Sequence, residues 1–191
     1  MKNLIAAIAN LQPLSENSQK EFSKILEVKN FKKKTAIAEL GKIPTHFYVL
    51  KSGIVRSYIA DEKGKEFTRS LYTPINAVGA FSALIKQEPS KIIYQCLTDC
   101  EFYAADFSQF KHLASQNTDI ALLYSKVLER LFLKMEKRIL DLSMLDAKDR
   151  YLKLKRRIPK IENLIPQYHI ASYLNVTPVQ LSRIRKSLYR K

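Results

Sequence analysis

Between residues 165 and 188 the chain reads IPQYHIASYLNVTPVQLSRIRKSL, and its second half places cations where a polyanion would meet them. On a helical wheel at about 100° per residue, Val179, Ser182, Arg183, Lys186 and Arg190 fall on one side, with Leu181, Ile184 and Leu188 on the other. Such a helix is pinned by three aliphatics and turns donors and positive charge outward. The side chains then divide by chemistry. An outward guanidinium near the middle of the helix is a planar fork that fits the O6 and N7 edge of guanine, which makes Arg183 the best candidate for a base contact. Val179 suits a thymine methyl, and Gln180 and Ser182 reach a base edge or a phosphate. Thr177 and Lys186 are better placed for backbone phosphates, which position without specifying.

That arrangement needs elements to hold it. Pro166 sits at the start of a first short helix whose inner face is Ile170, Ala171 and Leu174. Asn175 stands where a sharp inter-helix turn needs a left-handed residue. Thr177 can cap the second helix, with Pro178 at its first position. The first segment braces and the second reads, at helix-turn-helix spacing. Charge agrees with this reading. From Lys148 to Lys191 twelve Lys or Arg face two acids, so 44 residues carry +10 of the chain's net +15. Neutralising phosphates releases condensed counterions, so the C-terminal part is expected to bind a polyanion, double-stranded DNA.

Upstream, Ile120, Leu123, Val127, Leu131, Met135, Ile139, Leu142 and Leu145 recur every three or four residues without Pro or Gly. Leu128, Phe132 and Leu140 widen the apolar face. A helix apolar on more than one stripe buries one on its own domain and another on a partner, here expected to be its own copy. The expected dimer interface is Ile120, Val127, Leu131, Met135, Ile139 and Leu142. Beyond it, DAKDRYLKLKRRI forms another amphipathic helix, stopped at Pro159.

Residues 28 to 108 carry strand signals instead. FYVLKSGIVRSYIA and FTRSLY are rich in β-branched and aromatic residues, with Asp61 to Gly64 as the loop of a hairpin, and all four glycines lie in this part. That punctuation suggests an all-β sandwich or barrel. Cys96 and Cys100 flank a turn at Thr98 and Asp99. Together with His46, His112 and His169 they supply no metal-ligand set, so they are expected to be buried structural thiols, with no cofactor or metal. The N-terminal Leu4, Ile5, Ile8 and Leu11 follow helical spacing, too short for a secretory apolar core. No stretch reaches 18 apolar residues, so no membrane partner and a cytoplasmic location are expected.

The segments LKSGIV, DEKGKEF, VGAFSAL and DCEFYAAD, followed by the long helix and HIASYLNVTPVQLSRIRKSL, resemble in order and spacing the Crp/Fnr family of bacterial transcription regulators. The resemblance implies an α+β chain in three parts. Residues 1–117 would be a cyclic-nucleotide-binding-like β jelly roll acting as sensor, 118–145 a dimerisation helix, and 146–191 a helix-turn-helix (winged-helix-like) DNA-binding domain. It implies a non-enzymatic homodimer on an inverted-repeat site, with RNA polymerase and an unidentified small-molecule effector as further partners. It also places the effector pocket at Gly79, Ala80, Ser90, Lys91, Met135 and Glu136.

Within that pocket the chain departs from the pattern of members that bind cyclic AMP. Ala80 stands where those members place the Glu that holds the ribose, Ser90 where they place the Arg that holds the phosphate, and Lys91 where they place a Ser. Lys91 is a point charge and does not replace a planar fork. Met135 and Glu136 replace the hydroxyl residues that touch adenine. The pocket is therefore expected to be degenerate and not to bind cyclic AMP. The cysteine cluster of the iron-sulfur branch is absent, and no wing is expected after the reading helix. A ligand-sensing scaffold working through protein partners is the other reading, but it leaves the C-terminal charge without a purpose.

Overall fold

The computed structural model describes residues 2–189, so Arg190 lies outside the described residues. Two short helices, α1 (Lys2–Ala9) and α2 (Glu16–Lys24), lead into strands β1 (Glu27–Phe31), β2 (Ala36–Ala38), β3 (His46–Ser52), β4 (Val55–Ala60), β5 (Glu66–Tyr72) and β6 (Ala77–Val78). Helix α3 (Phe81–Lys86) separates these from β7 (Ile93–Cys96) and β8 (Cys100–Asp106), after which α4 (Phe107–Gln116) turns into the long α5 (Thr118–Met144). The described remainder is helical: α6 (Ala147–Arg157), α7 (Ile161–Leu164), α8 (Gln167–Leu174) and α9 (Pro178–Tyr189).

The strands form two sheets, ordered β1-β8-β3-β6 and β2-β7-β4-β5, with every pairing antiparallel. That order is a jelly roll. Alternation along the strands sends Tyr48, Leu50, Val55, Tyr72, Tyr94 and Phe102 into one interior. The β4–β5 hairpin closes where expected, with the Asp61 carboxylate accepting from the Lys63 and Lys65 backbone N–H groups. Gly53 precedes β4 at φ +97°, and a Cβ there would stand 2.5 Å from both the Asp99 carbonyl oxygen and Cys100 Sγ. Only glycine fits that close approach. Both cysteines are buried free thiols, as expected from the sequence.

Outside the first sheet a second cluster gathers Phe22, Phe47, Phe107, Phe110 and Ile120, joining α2, α4 and the start of α5 to the roll. Asp119 in the first turn of α5 fastens the start of α2. Its carboxylate accepts from the Ser18 hydroxyl at 2.6 Å and from the Ser15 N–H at 2.8 Å. A third cluster makes the core of the C-terminal helices from Tyr151, Leu154, Ile161, Ile170, Leu174 and Leu181, and it continues into Ile54, Leu71 and Leu97 of the roll. Each such fully buried aliphatic contributes roughly 1.5–3 kcal/mol of transfer free energy. The C-terminal helices are thus packed on the second sheet.

Candidate nucleic-acid interface

Helix α9 is built as its sequence requires. Leu181 is buried and Ile184 and Leu188 are half-buried against the C-terminal core, while Val179, Ser182, Arg183 and Lys186 are exposed. Asn175 ends α8 in the left-handed region at φ 55°, ψ 49°, turning the chain sharply into α9. Pro166 lies one position earlier than expected, as the residue capping α8 and not its first helical one.

Thr177 caps α9, and it does so reciprocally. The Gln180 N–H donates to the Thr177 hydroxyl at 3.2 Å, and the Thr177 N–H donates to Gln180 Oε1 at 2.8 Å. This is a capping box. It commits the Gln180 amide oxygen to the helix start and leaves its NH2 group to face outward. Arg185 turns back to Glu162 at 3.0 Å. Among the described residues Arg183 and Lys186 form no ion pair, so both cations are free on the exposed face.

Helix α8, against which α9 packs, is held on the roll by polar contacts that sequence reasoning missed. On α8, Ser172 accepts the Thr68 N–H at 2.8 Å and donates to the Glu66 carbonyl at 3.0 Å, joining the edge of β5. Beside it the buried Arg56 guanidinium pairs with Glu66 at 2.6 Å, donates twice to Gln95 Oε1, and stacks 3.8 Å above the Tyr58 ring. It also meets His169 Nδ1 at 3.0 Å. Arginine has only donors, so Nδ1 must accept and the imidazole must be neutral with its proton on Nε2. Burial, then the Arg56 charge, push the His169 pKa down to about 4. A charged residue in the middle of the apolar run GIVRSYI was the available signal for Arg56.

The end of α5 is tied to the same domain by cations. Arg138 donates to the Tyr173 carbonyl and stacks 4.0 Å from the Tyr173 ring, and Lys153 pairs with Asp141. Arg150 donates to the Leu145 and Leu174 carbonyls at 2.5 and 3.1 Å, satisfying chain ends that otherwise lack partners. The end of α5 is thus joined to α6 and α8.

Helix α5 has two apolar faces, and the structure divides the expected dimer residues between them. Ile120 is a correction: it is fully buried in its own protomer and has no surface left for a partner. Val127 and Leu131 are half-buried beside a cavity under α1. Met135, Ile139 and Leu142 are exposed, and with Phe132 they form a stripe at spacings of three and four.

The expected effector residues divide between buried and exposed positions. Ala80 is buried among the aromatics of the roll, and Gly79 packs against Phe47 and Leu84. Ser90 is buried too, its hydroxyl donating to the Ile92 carbonyl at 2.7 Å. Lys91 and Glu136 are exposed, and Met135 meets Arg69 on the outside at 3.4 Å. The interior is filled by Tyr48, Tyr72, Tyr94 and Phe102.

Comparison with known proteins accords with this geometry. Residues 28–117 match the cyclic nucleotide-binding domain family. No curated protein sequence matches the chain. Among solved structures, FixK2 from Bradyrhizobium japonicum superposes with a TM-score of 0.73 at 18% identity, covering 86% of this chain and 85% of that one. A putative transcriptional regulator of the Crp/Fnr family from Eubacterium rectale gives 0.72 at 18% identity over 94% and 87%. The c-di-GMP responsive global regulator CLP of Xanthomonas campestris gives 0.70 at 16% identity over 91% of each chain. No helix among the described residues is long and apolar enough to cross a membrane. Residues 28–117 are thus similar to cyclic nucleotide-binding domains, and the chain as a whole shares the fold of the solved Crp/Fnr-type structures.

Proposed function

We propose that the protein is a homodimeric, non-enzymatic transcription regulator that reads an inverted-repeat DNA site and does not bind cyclic AMP. The observation that carries this reading is α9: capped at Thr177, anchored by Leu181, and presenting unpaired Arg183 and Lys186 beside exposed Val179 and Ser182. Its domain, residues 146–191, holds +9 of the chain's net +15. Arg183 takes a guanine edge, Val179 a thymine methyl and Ser182 a base edge or phosphate, while Thr177 and Lys186 hold phosphates.

Pairing along the exposed stripe Phe132, Met135, Ile139 and Leu142 joins two copies, with 118–145 as the dimerisation helix and 1–117 as the sensor. Two reading helices then sit about one DNA turn, ~34 Å, apart. An effector acts by changing how the α5 helices pair, which the Arg138, Arg150 and Lys153 contacts pass to the reading heads. A cytoplasmic protein that contacts RNA polymerase completes the reading.

The test is selection from random-sequence DNA with purified protein at several salt concentrations, repeated with Arg183→Ala. An inverted repeat should emerge, with a steep salt dependence. The variant should lose about 1–3 kcal/mol and its preference at one base pair per half-site. Sequence-blind binding by both proteins would refute the assignment of Arg183.

A further inference from the structure

Outside the roll, under α1, lies a cavity of about 250 Å³ walled by α1, β3, α4, α5 and the Pro74–Ala77 segment. Its size is just below the ~300–1,000 Å³ usual for small-molecule sites. Leu4, Ile8, Phe47, Phe81 and Leu131 make its walls apolar, and at one rim stand Asn76, Arg130 and Lys134.

Lys134 is the anomaly. Its half-buried ammonium donates to Asn76 Oδ1 at 2.9 Å and lies 4.6 Å from the centre of the Tyr72 ring. Among the described residues no carboxylate pairs with Lys134 or with Arg130. A cation taken from water without a counter-charge is costly, and a soluble domain normally supplies one. Burial first, then the Arg157 and Arg130 charges, pull the Lys134 pKa down to about 8. The ammonium therefore still carries its proton at neutral pH.

The rim carries a second irregularity. Ile75 is held at φ +66°, a region that costs a β-branched residue roughly 1–2 kcal/mol, while its N–H donates to the Leu50 carbonyl at 2.7 Å. A strained aliphatic at the mouth of an apolar cavity, beside an uncompensated cation, is the construction of a ligand clamp.

We propose that this cavity binds a small amphipathic monocarboxylate, its carboxylate on Lys134 and Arg130 and its apolar part between α1 and Phe47. Charge decides the class. A neutral apolar molecule leaves Lys134 unpaired, and a phosphate-rich nucleotide finds apolar walls where it needs donors. The apolar part of the site lies outside the sheet against Phe47 and Phe110 of the second cluster, while its ammonium reaches Tyr72 of the interior cluster. It is read by the inner face of α5, whose outer face carries Phe132, Met135 and Ile139. Carboxylate binding does not depend on the transcription-regulator reading, so the two can fail separately.

The test is calorimetric titration of the full chain with octanoate and, as a neutral control, 1-octanol. Octanoate should bind once per chain and octanol at least tenfold more weakly. Lys134→Gln should weaken octanoate at least tenfold without changing octanol. Ala7→Phe, which fills the cavity from α1, should abolish both while the thermal unfolding transition stays in place. Octanoate and octanol binding alike, or an undiminished octanoate affinity in Lys134→Gln, would overturn the proposal. So would a folded wild type that gives no saturable signal at millimolar octanoate. A Lys134→Gln variant whose self-association changes while its octanoate affinity does not would instead assign the cavity to a second copy of the chain.

Discussion

Acid should loosen the protein at one identifiable contact, the meeting of His169 with Arg56. Folded, the imidazole is neutral, accepting from the guanidinium at 3.0 Å, with its pKa pushed down to about 4 by burial and then by the Arg56 charge. Unfolded, it returns to an ordinary value near ~6.5. Between those values the unfolded chain binds a proton that the folded chain refuses. Stability from this group is therefore complete above about pH 6.5 and is lost progressively as pH falls toward 4. At ~1.4 kcal/mol per pKa unit the full loss is about 3 kcal/mol, and this is an upper bound because the ring borders the open cleft beside Tyr168 and Ser172. Urea unfolding followed by circular dichroism from pH 4 to pH 7 measures it. His169→Asn keeps an acceptor for Arg56 and removes the titration. The Arg56–Glu66 pair is common to both proteins, so the difference between them isolates the histidine. The wild type should lose about 1–3 kcal/mol more than the variant across this window. Parallel pH profiles would refute the buried neutral imidazole and, with it, the reading of how the C-terminal helices are held on the roll.

Glutamate at Met135 and Ile139 together puts charge into the exposed stripe of α5, and sedimentation should show dissociation with unchanged helix content; a dimer of undiminished affinity would refute that seam. Thr177→Ala removes the reciprocal cap of α9 and should cost about 1 kcal/mol in urea unfolding, with DNA affinity falling as the reading helix frays. Gly53→Ala should destabilise well beyond the ~1 kcal/mol expected at Gly64, because both have positive φ but only at Gly53 would the new Cβ stand 2.5 Å from backbone and sulfur; equal melting temperatures would contradict the packing around Cys100.

The sequence by itself determined what depends on near neighbours along the chain. Turn chemistry placed Asn175 in the left-handed region and closed the Asp61–Gly64 hairpin, and helical periodicity marked out α5 and the two sides of α9. Those signals are local: a left-handed turn or an amphipathic face is decided within a few residues. Periodicity showed that α5 has more than one apolar face but not which residue belongs to which. Only the tertiary structure decided that Ile120 belongs to the protomer core, that Val127 and Leu131 border a cavity, and that Phe132 joins Met135 and Ile139 outside. It alone showed that Gln180 serves the cap of α9 and that Tyr48, Tyr72, Tyr94 and Phe102 fill the roll. Arg56 and His169 are 113 positions apart, and Asn76 and Lys134 are 58. Such pairs are made by chain closure, so no local pattern can announce them, yet they set the charge states that hold the C-terminal helices in place and leave one ammonium without a counter-charge among the described residues.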